Sequence, residues 1–226
     1  MKILRLIAIF FFTAVSWAQT AARPASITAV GQASVSASPD LARVDIGVVT
    51  QAANAQDATV QNATQAGTVI TALQGLLGSN ASIKTISYSV SPVYNNPPPG
   101  QNASIVAYTV TNIVEVTLTD LTQTGKVIDT SIQSGANRVQ GISFDLQDRT
   151  PLVAQALKAA AARALTQANA IASGLSVHTG SVLHASESVN SGGPVFTGIA
   201  AAPTTPIQTG LIVVQASVTV EVAITP

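Results

Sequence analysis

The 226-residue chain contains no cysteine. That excludes disulfide bonds, thiolate metal sites and thiol redox chemistry, and it leaves no thiol for lipid attachment. Histidine occurs only at His178 and His184, whereas a zinc site ordinarily takes three or four His, Cys, Asp or Glu ligands. Charge is equally scarce: Asp, Glu, Lys and Arg make up 9% of the sequence, against about 25% in an ordinary soluble protein. The ten basic residues form no cluster, and phosphate backbones are held by clustered Lys and Arg, so nucleic acid is not an expected partner. The only tryptophan is Trp17. No Gly-x-Ser-x-Gly elbow is present, and Gly31 lacks the companion glycines of a dinucleotide-binding turn.

What is present begins with a leader. Lys2 and Arg5 form a short basic region, Leu6 to Val15 an apolar run, and Ser16-Trp17-Ala18 a small-residue cleavage pattern. That is the layout of a secretory signal peptide, residues 1–18. The apolar run is too short to cross a bilayer, which takes about 20 apolar residues. No later run approaches that length, so no integral membrane segment is expected after cleavage. Removing Lys2 and Arg5 from ten basic residues leaves eight against ten acidic ones, a formal charge of −2. A surface built from Ser, Thr, Asn, Gln and Ala repels its neighbours weakly, which makes self-association inexpensive.

Periodicity then divides the remainder. Strands are expected at Ile27–Ser36 (broken by Gly31), Leu41–Gln51, Ile83–Tyr94, Ser104–Thr119, Val139–Leu146, Gly180–Val189 and Thr209–Ile224. Ser38-Pro39-Asp40 is a turn signal. A helix over Ala55–Leu77 takes Asn54 as its N-cap and is expected to bury Val60, Ala63, Ile70, Leu73 and Leu77. A shorter helix follows at Leu121–Gln133. A third opens at Thr150-Pro151, with Thr150 as cap and Pro151 at the first helical position, and ends at Gly174. Its many alanines favour helix and let it lie close to a sheet. The order is β-β-α-β-β-α-β-α-β-β, which places the chain in the α+β class, with a mixed, largely antiparallel sheet packed by three helices. Leu41–Tyr94 and Tyr108–Leu146 read as two loosely duplicated β-α-β halves. Residues Asn190 to Gln208, with Gly192, Gly193, Pro194, Pro203 and Pro206, read as an extended excursion.

Five stretches carry a family resemblance: VGQASVSASPDLARVDIGV, with Gly31, Pro39, Asp40 and Gly47; IKTISYSVSPVY, with Pro92 and Tyr94; AYTVTNIVEV, with Tyr108 and Asn112; SGANRVQGISFDL, with Gly135, Asn137 and Phe144; and QTGLIVVQASVTVEV, with Gly210. Together they span about Ile27 to Ile224 and resemble the SIMPL domain (DUF541) family of exported bacterial proteins. The resemblance implies a periplasmic or envelope location, an α+β fold and a structural or stress-related role; some members form large ring-like assemblies, and a homo-oligomer is the partner expected. It supplies no catalytic residues. The chain departs from the family's pattern in its charge-poor third helix.

The residues themselves offer little chemistry. His184 and Glu187 differ by three, so on a strand they face opposite sides. Asp145 and Asp148 lie beside Arg149, which favours an ion-pair cluster over a catalytic carboxylate pair. Neither catalytic residues, nor a cofactor, nor a metal site is expected. Asn62, Asn80 and Asn102 each match the glycosylation acceptor pattern, as chance allows in a chain this rich in Asn, Ser and Thr. The distinctive exposed feature is the turn of the central hairpin: Tyr94, Pro97, Pro98, Pro99 and Tyr108 form a possible interaction surface. A non-enzymatic, self-associating envelope protein is the leading expectation. The alternative is a monomeric binding module for a small envelope ligand, with an apolar pocket between sheet and helices lined by Tyr88, Tyr94 or Tyr108.

Overall fold

A computed structural model describes residues 24–78, 82–192 and 208–226. The leader at 1–18 and most of the excursion at 190–208 lie outside the described residues. Within them the elements run β1 (Ser26–Ala37), β2 (Leu41–Ala52), α1 (Ala55–Leu77), β3 (Ser82–Tyr94), β4 (Ile105–Leu118), α2 (Thr124–Gln133), β5 (Arg138–Asp145), α3 (Thr150–Gly174), β6 (His178–Ser191) and β7 (Ile212–Thr225). One 3-10 turn, Leu121–Gln123, leads into α2. This is the expected order and the expected α+β class. The strands divide between two sheets, and every pairing is antiparallel.

The contiguous stretch from β2 to β5 forms a four-stranded sheet in the order β3-β4-β2-β5. The β2-α1-β3 and β4-α2-β5 passages therefore interleave, which is the split βαβ arrangement of ferredoxin-like folds. Alternation in β2 places Ala42, Val44, Ile46 and Val48 against the helices. They pack with Val69 and Leu73 of α1, Val127 and Ile128 of α2, and Phe144 of β5. The buried face of α1 is rotated from the expected one: Ala58, Asn62, Ala66, Val69 and Leu73 are buried, while Val60 is 59% exposed and Ala63 is also exposed. The cause is Asn62. Its Nδ2 donates to the carbonyl of Val48 at 2.9 Å and that of Val110 at 3.4 Å, joining the helix to β2 and β4. A group that satisfies buried backbone acceptors can define a helix face as firmly as an apolar side chain. The N-cap is as expected, with Asn54 Oδ1 accepting from the Asp57 amide at 2.8 Å.

The ends of the described chain make the other unit. Its sheet runs β1-β7-β6, so the first strand pairs with the last along its whole length, from Ser26↔Ala223 to Ala37↔Ile212. Helix α3 lies on β1 and β7 through a row of small residues: Ala156, Ala160, Ala164, Ala168 and Ala172. Gly31 does not break β1. A methyl group at Gly31 would overlap the backbone of Ala160 and Ala164 and lie 2.9 Å from Ala164 Cα, so its missing side chain is what lets the helix approach. The first residue of α3 shifts by one from expectation, and its end at Gly174 does not. Thr150 is inside the helix, its amide held by Asp148 Oδ1 at 2.8 Å, and the left-handed residue after the helix is Ser176 (φ 57°).

The two cores share no buried residue. Two chain crossings join them, Ser38–Asp40 and Leu146–Arg149. They are hydrogen-bonded to each other: the Asp40 amide donates to Asp145 O at 3.1 Å, and the Gln147 amide donates to Asp40 Oδ1 at 2.7 Å.

Candidate functional site

The central hairpin forms where expected. Asn95 closes its turn, donating its amide to Ser104 O at 3.0 Å while its Oδ1 accepts from the Ser104 amide at 2.6 Å. Inside, Pro98 O accepts from the Gln101 amide at 3.2 Å, with Pro99 and Gly100 (φ 91°) between them. That is a type II turn, whose third residue needs the left-handed region. Strand β2 ends at Ala52, opposite Tyr108, so the hairpin beyond Pro92 and Tyr108 projects past the body of its sheet. Tyr94 is 56% exposed, Pro98 and Pro99 are exposed, and Pro97 and Tyr108 are half-buried. Tyr94 pairs with Ile105, and Pro92 with Tyr108. The five predicted residues thus lie on one projecting element. None of Tyr88, Tyr94 and Tyr108 lines the three depressions described below.

Sheet edges carry a signal that residue patterning did not show. In the three-stranded sheet, the β1 edge is engaged at one point, where Arg163 of α3 donates from Nη1 to Gln32 O at 2.7 Å. At the opposite edge, β6 runs fourteen residues, and every residue from Gly180 through Asn190 is exposed. Helix α3 leaves its helix-side residues uncovered, with Val182 51% and Val189 37% exposed. In the four-stranded sheet the edge strand β3 is exposed from Lys84 through Pro92. Unpaired strand edges are templates for pairing with another chain, and native proteins ordinarily blunt them with charge, Pro or a covering element. Strand β3 has Lys84, Pro92 and two register shifts. Strand β6 has register shifts near Val182, but from Val182 to Asn190 its ionisable residues are only His184 and Glu187.

Depressions mark the described surface. One of about 410 Å³ crosses the helix-free face of the three-stranded sheet, one of about 360 Å³ lies between α3 and β6 beside Leu157, Ala161 and Glu187, and one of about 320 Å³ sits near Asp120 and Gln123.

Reactive groups do not converge among the described residues. Among the described residues no three His, Cys, Asp or Glu side chains gather as a metal site would require. His184 pairs with Glu221 on the helix-free face, and Glu187 pairs with Val218 on the helix-covered one, so the two face opposite sides as the spacing predicts. The acidic cluster at the crossing is an ion-pair network. Arg149 Nε donates to Asp145 Oδ1 at 2.6 Å, and Arg43 Nη1 to Oδ2 at 3.4 Å. Burial opposes ionisation of Asp145, but bonds from Arg149 and the Leu146 amide, the charge of Arg149 and the bond from Arg43 together hold its carboxyl below the ordinary value. Asp148 is lowered by its bonds to Thr150. Asn62 is wholly buried, which removes it as a glycosylation acceptor.

The SIMPL family profile, a protein of unknown function (DUF541), matches residues 27–222. Two curated relatives, each a "26 kDa periplasmic immunogenic protein", come from Brucella melitensis and Brucella abortus. Each is 27% identical over 172 residues, covering 75% of this chain and 69% of the relative. No described helix is long and apolar enough to cross a membrane. The ordered motifs, the α+β architecture and the match across nearly all of the described residues lead to one assignment: the chain belongs to the SIMPL family.

Proposed function

We propose that this chain is a non-enzymatic periplasmic protein, exported on the leader 1–18, that self-associates as a structural or stress-related component of the envelope. The observation that carries the reading is the open β6 edge. Fourteen residues of strand have one neighbour, β7, and no described element covers the other side. Pairing that edge with a second copy would satisfy its outward amides and carbonyls and bury Val182 and Val189, while the low surface charge offers little opposition. The leader supports export, and the periplasmic relatives support the location. The projecting hairpin with Tyr94, Pro97, Pro98, Pro99 and Tyr108 supplies a second contact surface of the same kind.

The test is a light-scattering mass of the untagged protein beginning at Gln19, paired with Val189→Lys. A Lys on an edge strand is a natural device against edge pairing. The expected result is a mass that is a multiple of one chain for the wild type and a lower mass for the variant. A wild-type mass equal to one chain overturns the proposal.

A further inference from the structure

The helix-free face of the three-stranded sheet is an ordered array of uncharged hydrogen-bonding side chains. Two cross-strand rows fill the depression of about 410 Å³: Gln32–Ser217–Ser188 and Ser34–Gln215–Asn190. Columns in such an array lie about 4.8 Å apart, and rows about 7 Å apart along each strand. None of the six side chains donates or accepts a hydrogen bond within the described protein, so their capacity is directed outward. Arg163 also lines the depression. One of its nitrogens is fixed on Gln32 O at 2.7 Å. A guanidinium carries five N–H donors, so most of its donors are left for an anion, and its fork matches a carboxylate.

We infer that this depression binds a saccharide that carries a carboxylate. Hydroxyl and amide side chains both donate and accept, and so do sugar hydroxyls, so the array suits a polyhydroxylated ligand. Its lining offers no large apolar side chain to hold an apolar ligand and no aromatic platform on which a base could stack. A single cation is too few for a polyphosphate and enough for one carboxylate. The fixed Arg163 places the acidic group at the β1 side of the array, and the Ser and Asn side chains of β6 take hydroxyls at the other. This site is independent of the β6 edge, because it uses the face of the sheet and not its rim.

The test is an NMR titration of the isotope-labelled mature protein with digalacturonate and, separately, with neutral lactose. Wild-type protein is expected to bind the acid saturably and at least about tenfold more tightly than lactose. Arg163→Gln is expected to erase that preference. At the centre of the array, Ser217→Val is expected to weaken both ligands by about tenfold, while Ser217→Thr, of matching shape but with the hydroxyl retained, binds as the wild type does. Unchanged circular dichroism shows that the strand substitutions leave the fold intact. Absence of saturable binding, equal affinity for the two sugars in the wild type, a preference that survives Arg163→Gln, or equal binding by the Val and Thr variants would each overturn the assignment.

Discussion

The two units of this protein reach a buried core by different routes. The β2–β5 unit uses bulk: Ile46, Val69, Leu73, Val127 and Phe144 fill the space between its sheet and two helices. The β1-β7-β6 unit uses proximity, with Ala side chains along α3 meeting a glycine in β1. Bulky side chains bury more area each, so the first core tolerates a longer distance between layers. The second gains its contacts only while backbone and backbone remain close. Removing volume should therefore hurt the first unit most, and adding volume should hurt the second.

The largest effect is expected from Leu73→Ala, which leaves a cavity under α1. It should cost the β2–β5 unit about 2–5 kcal/mol in denaturant unfolding. Gly31→Ala comes next, at about 1–3 kcal/mol, because the added methyl must displace the backbone of α3. Hydrogen exchange should assign the Gly31→Ala loss to β1, β7 and α3, with protection in β2 and β4 unchanged. Equal loss of protection in both units would break the comparison. The smallest effect concerns the crossing between the units. Asp145 is held below its ordinary value of 3.8 in the folded chain. Its contribution is therefore fully present above that value and is lost as pH falls through the lowered one. Asp145→Asn should flatten the acid limb of the stability curve below pH 3.8 and leave the slope near neutrality unchanged. A variant whose acid limb matches the wild type would show that other carboxylates govern it.

Much of the fold could be read from local pattern. The period-two run in β2, the Pro-rich turn between β3 and β4 and the alanines of α3 each identify an element with a physical cause. Three features escaped. Local pattern points to the wrong face of α1 because Val60 and Ala63 are apolar, whereas the buried position is polar Asn62, whose role depends on carbonyls 14 and 48 residues away. Gly31 resembles a strand interruption in the local pattern, because what it accommodates is a helix more than a hundred residues later. The division into two sheets rests on β1 pairing with β7, and no short-range pattern encodes such a partner. For the candidate site, the hairpin residues were legible from proline and tyrosine. The open β6 edge and the polar array became visible only once strand order and register were known.

The pairing of β1 with β7 also fixes an order of events. Residues 41–145 contain every strand and helix of one unit, so that unit can form while the rest of the polypeptide is still emerging. Strand β1 emerges before that unit and then waits, its pairing edge unmet, until residues 212–225 arrive. Closing so long a loop is slow. The last strand is thus a completion latch: a truncated chain would retain the earlier unit, while β1 and α3 would have no central strand on which to assemble.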